Sequence, residues 1–239
     1  MYSFVITILL SIWNYEEVKK VLPEAEYITL LRDPVNCYES NYVYMGLEKA
    51  FKMDINQFAK KKAVEDVTRR PTAIIGKNQL LWDLGMPHFN MEDEEKVSQK
   101  ISELDKQFDF VLLAEHFDES LVLLARKLCW DLRDVTYLKQ NARKADKVSN
   151  ITETAREQLK TWLRADFQLY EHYQAKFELE VEKYEECLFY YIEIITCCCR
   201  YGRDDLARDV ATLRELNDDL TKDCVKEVAD NSKLRGEFR

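Results

Sequence analysis

Glycine and proline are scarce in this chain, five and four in 239 residues. An all-β sandwich needs many tight turns built from both, so their scarcity favours a helix-rich chain. Excess positive charge is also missing. The formal net charge is −9, and a general nucleic-acid surface requires concentrated Lys and Arg, so no nucleic-acid partner is expected. A local anion site stays open, because it needs only one or two basic groups and some backbone N–H donors. The seven cysteines are Cys37, Cys129, Cys187, Cys197, Cys198, Cys199 and Cys224. They include no CxxC pair and no metal-ligand spacing, so no metal is expected. The run Cys197–Cys199 follows an apolar stretch, Leu188 to Ile195, and reads as buried thiols, with palmitoylation or a disulfide as alternatives. Long apolar runs are lacking too. Met1 to Trp13 is apolar but shorter than the roughly 20 residues of a bilayer span. It has neither a basic n-region nor a small-residue cleavage site, so it is a poor signal peptide. A buried strand, or an N-terminus displaced from its usual context, are the remaining readings.

What is present fits a globular protein: 46% apolar and 33% charged residues, in a chain long enough for a real core. Residues 14–22 predict a short amphipathic helix ended by Pro23. Glu26 to Leu31 reads as a buried strand. Asp33-Pro34 opens a helix that runs to about Met45, where Gly46 ends it. A further helix spans 54–64 with Asp54 as N-cap. Arg69 to Asn78 is a basic connector, Gln79 to Leu84 is ambiguous, and Gly85 to Asn90 is a loop. Glu92 to Gln107 is a charged helix with Val97, Ile101 and Leu104 on one side. Phe108 to Ala114 is a second buried strand, followed by an apolar helix over Glu119 to Trp130. Strand–helix alternation of this kind predicts an α/β protein. From Ala155 the apolar spacing turns to intervals of three and four through Leu188. Asp166 interrupts that stripe, so two helices are expected to meet there. A last helix covers about Asp204 to Ala229.

The sharpest constellation is Ile28-Thr-Leu-Leu-Arg32-Asp-Pro-Val-Asn-Cys-Tyr-Glu-Ser40. In open α/β sheets ligands gather beyond the carboxyl ends of the strands. A guanidinium there can clamp a phosphate with two hydrogen bonds, and Ser40 lies about two helical turns further on. The competing reading is that Arg32 pairs with Asp33 or Glu39 on a solvated face.

The strand-Arg-Asp-Pro pattern, with Ser eight residues after the Arg, resembles the 3′-phosphate-binding motif of Golgi sulfotransferases. Later segments narrow the resemblance. Asn78-Gln-Leu-Leu-Trp-Asp-Leu-Gly85, Phe110-Val-Leu-Leu-Ala-Glu-His-Phe-Asp-Glu-Ser-Leu-Val-Leu-Leu124, Cys129-Trp-Asp-Leu-Arg-Asp-Val-Thr-Tyr137, Lys139-Gln-Asn-Ala-Arg143 and Leu169-Tyr-Glu-His-Tyr173 are similar to blocks of the galactosylceramide and galactose 3-O-sulfotransferase family. The resemblance covers about residues 14–185. It implies a P-loop-NTPase-like sulfotransferase fold, with an incomplete parallel sheet and a helix-rich C-terminal part. Residues 14–190 would form a partial sulfotransferase domain, and 191–239 a helical extension. The implied donor is 3′-phosphoadenosine 5′-phosphosulfate, the acceptor a terminal galactose on a glycolipid such as galactosylceramide or on a glycan. The implied location is the luminal face of the Golgi membrane, held by a family-type anchor that is not seen here.

In that setting Arg32 and Ser40 would hold the donor's 3′-phosphate. Lys139 and Arg143, spaced for one helix face, would contact donor phosphates or acceptor. His88, in the loop after Pro87, would reach the acceptor sugar. His116 and His172 are weaker candidates. Glu115, Asp118 and Glu119 look like a carboxylate cluster but suit helix capping better. Trp82 and Trp130 suit a core better than a sugar platform. The family's Lys-Thr-His-Lys-Thr-Gly-Ser-Ser-like loop has no match before Arg32, and Trp13-Asn14 lacks the Asn-His-x-Arg segment that precedes it in the family. No catalytic group is therefore assigned. A truncated or inactive relative that only binds nucleotide, and a helical interaction module over 155–230, stand as alternative readings.

Overall fold

In the computed structural model, residues 4–6, 12–62, 76–139, 149–186 and 206–224 are described. Arg143, Cys187, the Leu188–Ile195 stretch, Cys197–Cys199 and the greater part of the 69–78 connector lie outside them. The chain divides into two compact units, one of residues 1–117 with 143–182, the other of 118–142 with 183–239.

The first unit is organised on a three-stranded sheet in the order β1-β2-β3, β1 being Phe4–Ile6, β2 Glu26–Leu31 and β3 Phe110–Leu113. Both pairings are parallel. Ile28 of β2 lies opposite Ile6 on one side and Phe110 on the other, and Leu31 lies opposite Leu113. A strand is thus present in the apolar N-terminal run, and β2 has the predicted bounds. Its Tyr27, Ile28 and Leu31 are buried, which is what a strand flanked on both edges requires.

Helix α1, Tyr15–Val21, starts where the Asn14 side chain accepts the Glu17 N–H. Helix α2, Pro34–Tyr44, starts at Asp33, whose carboxylate accepts the Asn36 N–H at 2.8 Å. It ends at Gly46, where φ of +63° suits a residue without a Cβ. A short helix not foreseen in the sequence, α3 (Leu47–Phe51), follows. In α4, Ile55–Lys62, Asp54 and Gln57 cap each other reciprocally. The ambiguous segment proves to be helix α5, Gln79–Asp83. Helix α6, Glu94–Gln107, begins at the Asp93 carboxylate and buries Val97, Ile101 and Leu104, one helical face as expected. Helix α7, Phe117–Leu128, follows β3 through one 3-10 turn.

The stripe that begins at Ala155 forms two helices, α8 (Glu153–Trp162) and α9 (Arg164–Glu186). The break falls at Leu163, three residues before the expected Asp166. The apolar residues in the first part of this stripe are buried. Ala155, Leu159, Trp162, Leu163 and Phe167 pack into one cluster with Val35, Tyr38 and Tyr42 of α2 and Ile55, Phe58 and Ala59 of α4. Tyr38 stacks on Phe58 at 5.6 Å and meets Trp162 edge-on at 5.0 Å. The interaction-module reading therefore fails for residues 155–167: their apolar side chains are already buried in the chain's own core.

The second unit contains the rest of α7, a 3-10 turn at Leu132–Val135 and helix α10, Leu206–Cys224. Leu206, Val210, Leu213 and Asn217 of α10 are buried. Arg126 pairs with Asp209 at 2.8 Å, and the Tyr137 N–H donates to the Asn217 side chain at 2.8 Å. Among the described residues no helix is long and apolar enough to cross a membrane.

Candidate functional site

The carboxyl ends of β2 and β3 lie side by side. The ladder ends at the Leu31–Leu113 pair; beyond it Arg32 and Asp33 lead into α2, while Ala114–His116 form a 3-10 turn. Hydrogen bonds join the two segments. The Asp33 N–H donates to Glu115 Oε1 at 3.0 Å, and the Tyr170 hydroxyl of α9 donates to Glu115 Oε2 at 3.0 Å. The Asp33 carboxylate caps α2 and lies 3.6 Å from Arg156 Nη1 of α8, while Arg156 Nη2 donates to Asn36 Oδ1 at 3.0 Å. The turn is thus held by Glu115 at the Asp33 N–H and by Arg156 at the Asp33 carboxylate.

Arg32, next in the chain to Asp33, has its side chain exposed and makes no hydrogen bond or ion pair among the described residues. Asp33 is engaged as above. Glu39 is buried and accepts the Ser149 N–H at 3.0 Å. The reading in which Arg32 pairs with Asp33 or Glu39 therefore fails: both carboxylates have other partners. Ser40 is half-buried on α2 and shares a face with Asn36 one turn below it. It lies about 9 Å up the helix axis from Pro34, so Arg32 must lie back along α2 for both to share one phosphate. The aromatic cluster on Val35, Tyr38 and Tyr42 fixes α2, and with it the backbone that carries Ser40.

Cys37 sits on the same helix but offers no nucleophile. Desolvation pushes its thiol up to about 12, the Asp166 carboxylate adds to the effect, and the Arg32 guanidinium opposes it. A neutral thiol of that kind is inert.

The other candidates are dispersed. His88 is half-buried and stacks on Trp82, ring centroids 4.3 Å apart and 12° between planes. Trp82 is half-buried rather than enclosed, and so is Trp130. His116 is exposed and stacks on Phe177 at 5.3 Å. His172 Nε2 meets Asp105 Oδ2 at 2.9 Å, and Lys176 holds the other oxygen of that carboxylate at 2.8 Å. Lys139 is exposed in irregular backbone of the second unit, so the helical spacing assumed for Lys139 and Arg143 does not hold at Lys139.

The three carboxylates after β3 have different partners: Asp118 and Glu119 share Arg214, and Glu115 does not. Glu115 serves Asp33 and Tyr170. Asp118 receives the Tyr137 hydroxyl and Arg214 Nε, both at 2.7 Å, and Glu119 lies 3.8 Å from Arg214. Burial works to raise Asp118, but the hydrogen bonds from Arg214 and Tyr137 outweigh it, and its carboxyl is held below the usual range. Glu115 is not a helix cap here; it is a clasp on the Arg32–Asp33 turn. Sequence reasoning missed Arg156 and Tyr170 in this network, since each sits in a helix more than 100 residues downstream of Arg32, and only the fold brings it back.

The family model for galactose-3-O-sulfotransferase matches residues 4–236, further in both directions than the blocks legible in the sequence. Bovine galactosylceramide sulfotransferase is 33% identical over 222 residues, which is 89% of this chain and 48% of that protein. Mouse galactose-3-O-sulfotransferase 2 is 32% identical over 69% of this chain and 43% of its own length, and the mouse galactose-3-O-sulfotransferase 3 is 31% identical over 87% and 46%. The chain therefore spans about half the length of the curated relatives it matches. No solved structure matches it. A family model that runs over nearly the whole chain, together with relatives a third identical across most of it, places this chain in the galactose-3-O-sulfotransferase family.

Proposed function

We propose that the carboxyl end of β2 is the donor 3′-phosphate site of a sulfotransferase that moves sulfate from 3′-phosphoadenosine 5′-phosphosulfate to the 3-hydroxyl of a terminal galactose, on galactosylceramide or a glycan. The observation that carries this reading is Arg32: an exposed guanidinium at the carboxyl end of the middle strand, with no partner among the described residues, while both nearby carboxylates are occupied. The residues present fit that end of the donor. A dianionic phosphate suits a bidentate guanidinium and a hydroxyl donor. The fold is proposed to be the P-loop-NTPase-like sulfotransferase type, and the protein to work on the luminal face of the Golgi membrane. Residues 14–190 are proposed as the sulfotransferase portion, with 191–239 as its helical extension.

Sulfuryl transfer requires the acceptor hydroxyl to lose a proton while negative charge builds on the leaving phosphate oxygen. Arg32 and Ser40 are proposed to act at the far end of the donor, holding the 3′-phosphate so that the sulfuryl group is oriented. Their work is binding, which appears in KM for the donor more than in kcat. Lys139 and Arg143 are proposed contacts for donor phosphates or acceptor, and His88 a proposed contact for the galactose.

Calorimetry with adenosine 3′,5′-bisphosphate tests the donor site. Arg32→Ala should weaken binding by about 1.5–3 kcal/mol, the range for hydrogen bonds to charged groups. Absence of binding by the unmutated chain would sink the proposal. A sulfate-transfer assay on galactosylceramide then separates catalysis from nucleotide binding alone.

A further inference from the structure

We propose that Arg156 is a positioning residue for the 3′-phosphate site: it engages the Asp33 carboxylate and thereby leaves Arg32 free for the donor. The inference rests on the donor reading above. Arg32 and Asp33 are neighbours of opposite charge at the start of α2, and an unopposed carboxylate there would compete with a ligand phosphate for the same guanidinium. In the structure that competition is removed. Asp33 is held by Arg156 Nη1 at 3.6 Å and by the Asn36 N–H at 2.8 Å, and the other arm of the Arg156 fork is fixed on Asn36 Oδ1 at 3.0 Å. A planar guanidinium reaches the carboxylate and the amide together, which a single ammonium does not do in a fixed geometry.

The pair is partly shielded. The Asp33 side chain is 19% exposed and that of Arg156 37%, so their interaction is screened less than that of a fully solvated pair. Arg156 is also placed firmly. It sits in the first turn of α8, which Thr152 caps, and Thr152 is tied to Asn56 of α4 through its N–H at 2.9 Å and its hydroxyl at 3.2 Å. The rest of α8 is anchored by Leu159 and Trp162 in the aromatic cluster. A charge on a distant helix thus sets the availability of a charge on the phosphate-binding turn.

Four proteins test this by calorimetry against adenosine 3′,5′-bisphosphate: the unmutated chain, Arg156→Gln, Asp33→Asn and the double variant. Arg156→Gln should weaken binding about tenfold, the equivalent of 1.4 kcal/mol. Asp33→Asn in the same chain should restore it, because Asn keeps an N-cap acceptor while removing the competing charge. Adenosine 5′-phosphate, which lacks the 3′-phosphate, should bind all four alike. Unchanged binding by Arg156→Gln overturns the inference. So does a loss that Asp33→Asn fails to repair, which would instead mean direct contact with the ligand, and so does an equal loss for adenosine 5′-phosphate, which would mean general damage. If Arg156→Gln does not fold, Arg156→Lys carries the test: it loses the fork that spans Asp33 and Asn36 and should weaken binding a few-fold, and unchanged binding overturns the idea. Failure of the unmutated chain to bind brings down the donor reading itself; binding that ignores Arg156 brings down only this inference.

Discussion

The two ends of the small parallel sheet are built from different chemistry. At the amino end, Trp13 stacks on Phe108 with centroids 4.9 Å apart, meets Tyr27 edge-on at 5.6 Å, and donates its indole N–H to Gln107 at 2.9 Å. Asp109 closes that end by exchanging hydrogen bonds with the Tyr27 main chain, each 2.8 Å long. At the carboxyl end the contacts are carboxylates, a guanidinium and a phenol, and one arginine is left over. The amino end spends its side chains on each other. The carboxyl end spends them on holding a turn whose exposed cation has nothing to bind within the described chain. That difference separates a structural end from the proposed binding end more clearly than residue type alone.

The comparison is broken most directly at the amino end. Trp13 is 5% exposed, and Trp→Ala in such a setting costs about 3–5 kcal/mol. The main chain there is equally tight: a Cβ on Gly85, whose φ is +84°, would collide with the Trp13 carbonyl oxygen. Trp13→Ala should therefore lower the urea midpoint strongly, yet leave the affinity of the remaining folded protein for adenosine 3′,5′-bisphosphate unchanged. An affinity loss with stability intact would show that the two ends are not separate in role.

A second test concerns Asp166, a charge that serves neither strand end. Its carboxylate accepts the N–H groups of Leu80 and Leu81 at 3.0 and 2.9 Å, capping α5 from across the fold, and its own N–H donates to Asn78. Burial raises its pKa from the ordinary 3.8 to about 7, with Asp83 adding to the shift and the two N–H groups opposing it. The native state therefore holds a proton that the unfolded chain releases. The stability linked to that proton is complete below about pH 4 and is lost as pH rises through about 7. Relative to Asp166→Asn, the unmutated chain should lose on the order of a few kcal/mol between those limits. A difference between the two proteins that stays flat with pH would reject this. Affinity for the nucleotide should not follow the same curve, which keeps a buried structural carboxyl distinct from the solvated guanidinium of Arg32 proposed for binding.

The same residue shows what the sequence could and could not reveal. The bounds of β2, the Asp33 and Asp54 caps, the stop at Gly46 and the buried face of α6 are local, and spacing within one or two turns reveals them. Asp166 broke an apolar stripe and was legible as a helix junction, but its partners lie 85 and 86 residues away. No local rule could say that it caps a five-residue helix. Arg32 was legible because it ends a strand. That the nearby carboxylates have other partners was not, since Asp33 meets Arg156 of α8, Glu39 meets Ser149, and Glu115 meets Tyr170 of α9. The short helices α3 and α5 escaped for the opposite reason: five residues are too few to show a period.

The smallest expected effect falls at the carboxyl end, and it follows from how that end is held. The Tyr170 hydroxyl is one of several polar contacts on the turn, and burial, followed by the charge of Glu115, drives its pKa well above the usual phenol value. It is thus a neutral donor at any working pH. Tyr170→Phe removes that donor and keeps the ring, which is packed and 7% exposed. Glu115 retains the Asp33 N–H, and Asp33 retains Arg156 and Asn36. Loss of one hydrogen bond from such a set costs about 1 kcal/mol of stability and should change nucleotide affinity by no more than a few-fold. Denaturation and calorimetry on the same protein measure both. A loss as large as that of Trp13→Ala would mean that the carboxyl end is as structurally committed as the amino end, because a turn held by independent polar contacts gives way only when several of them are removed.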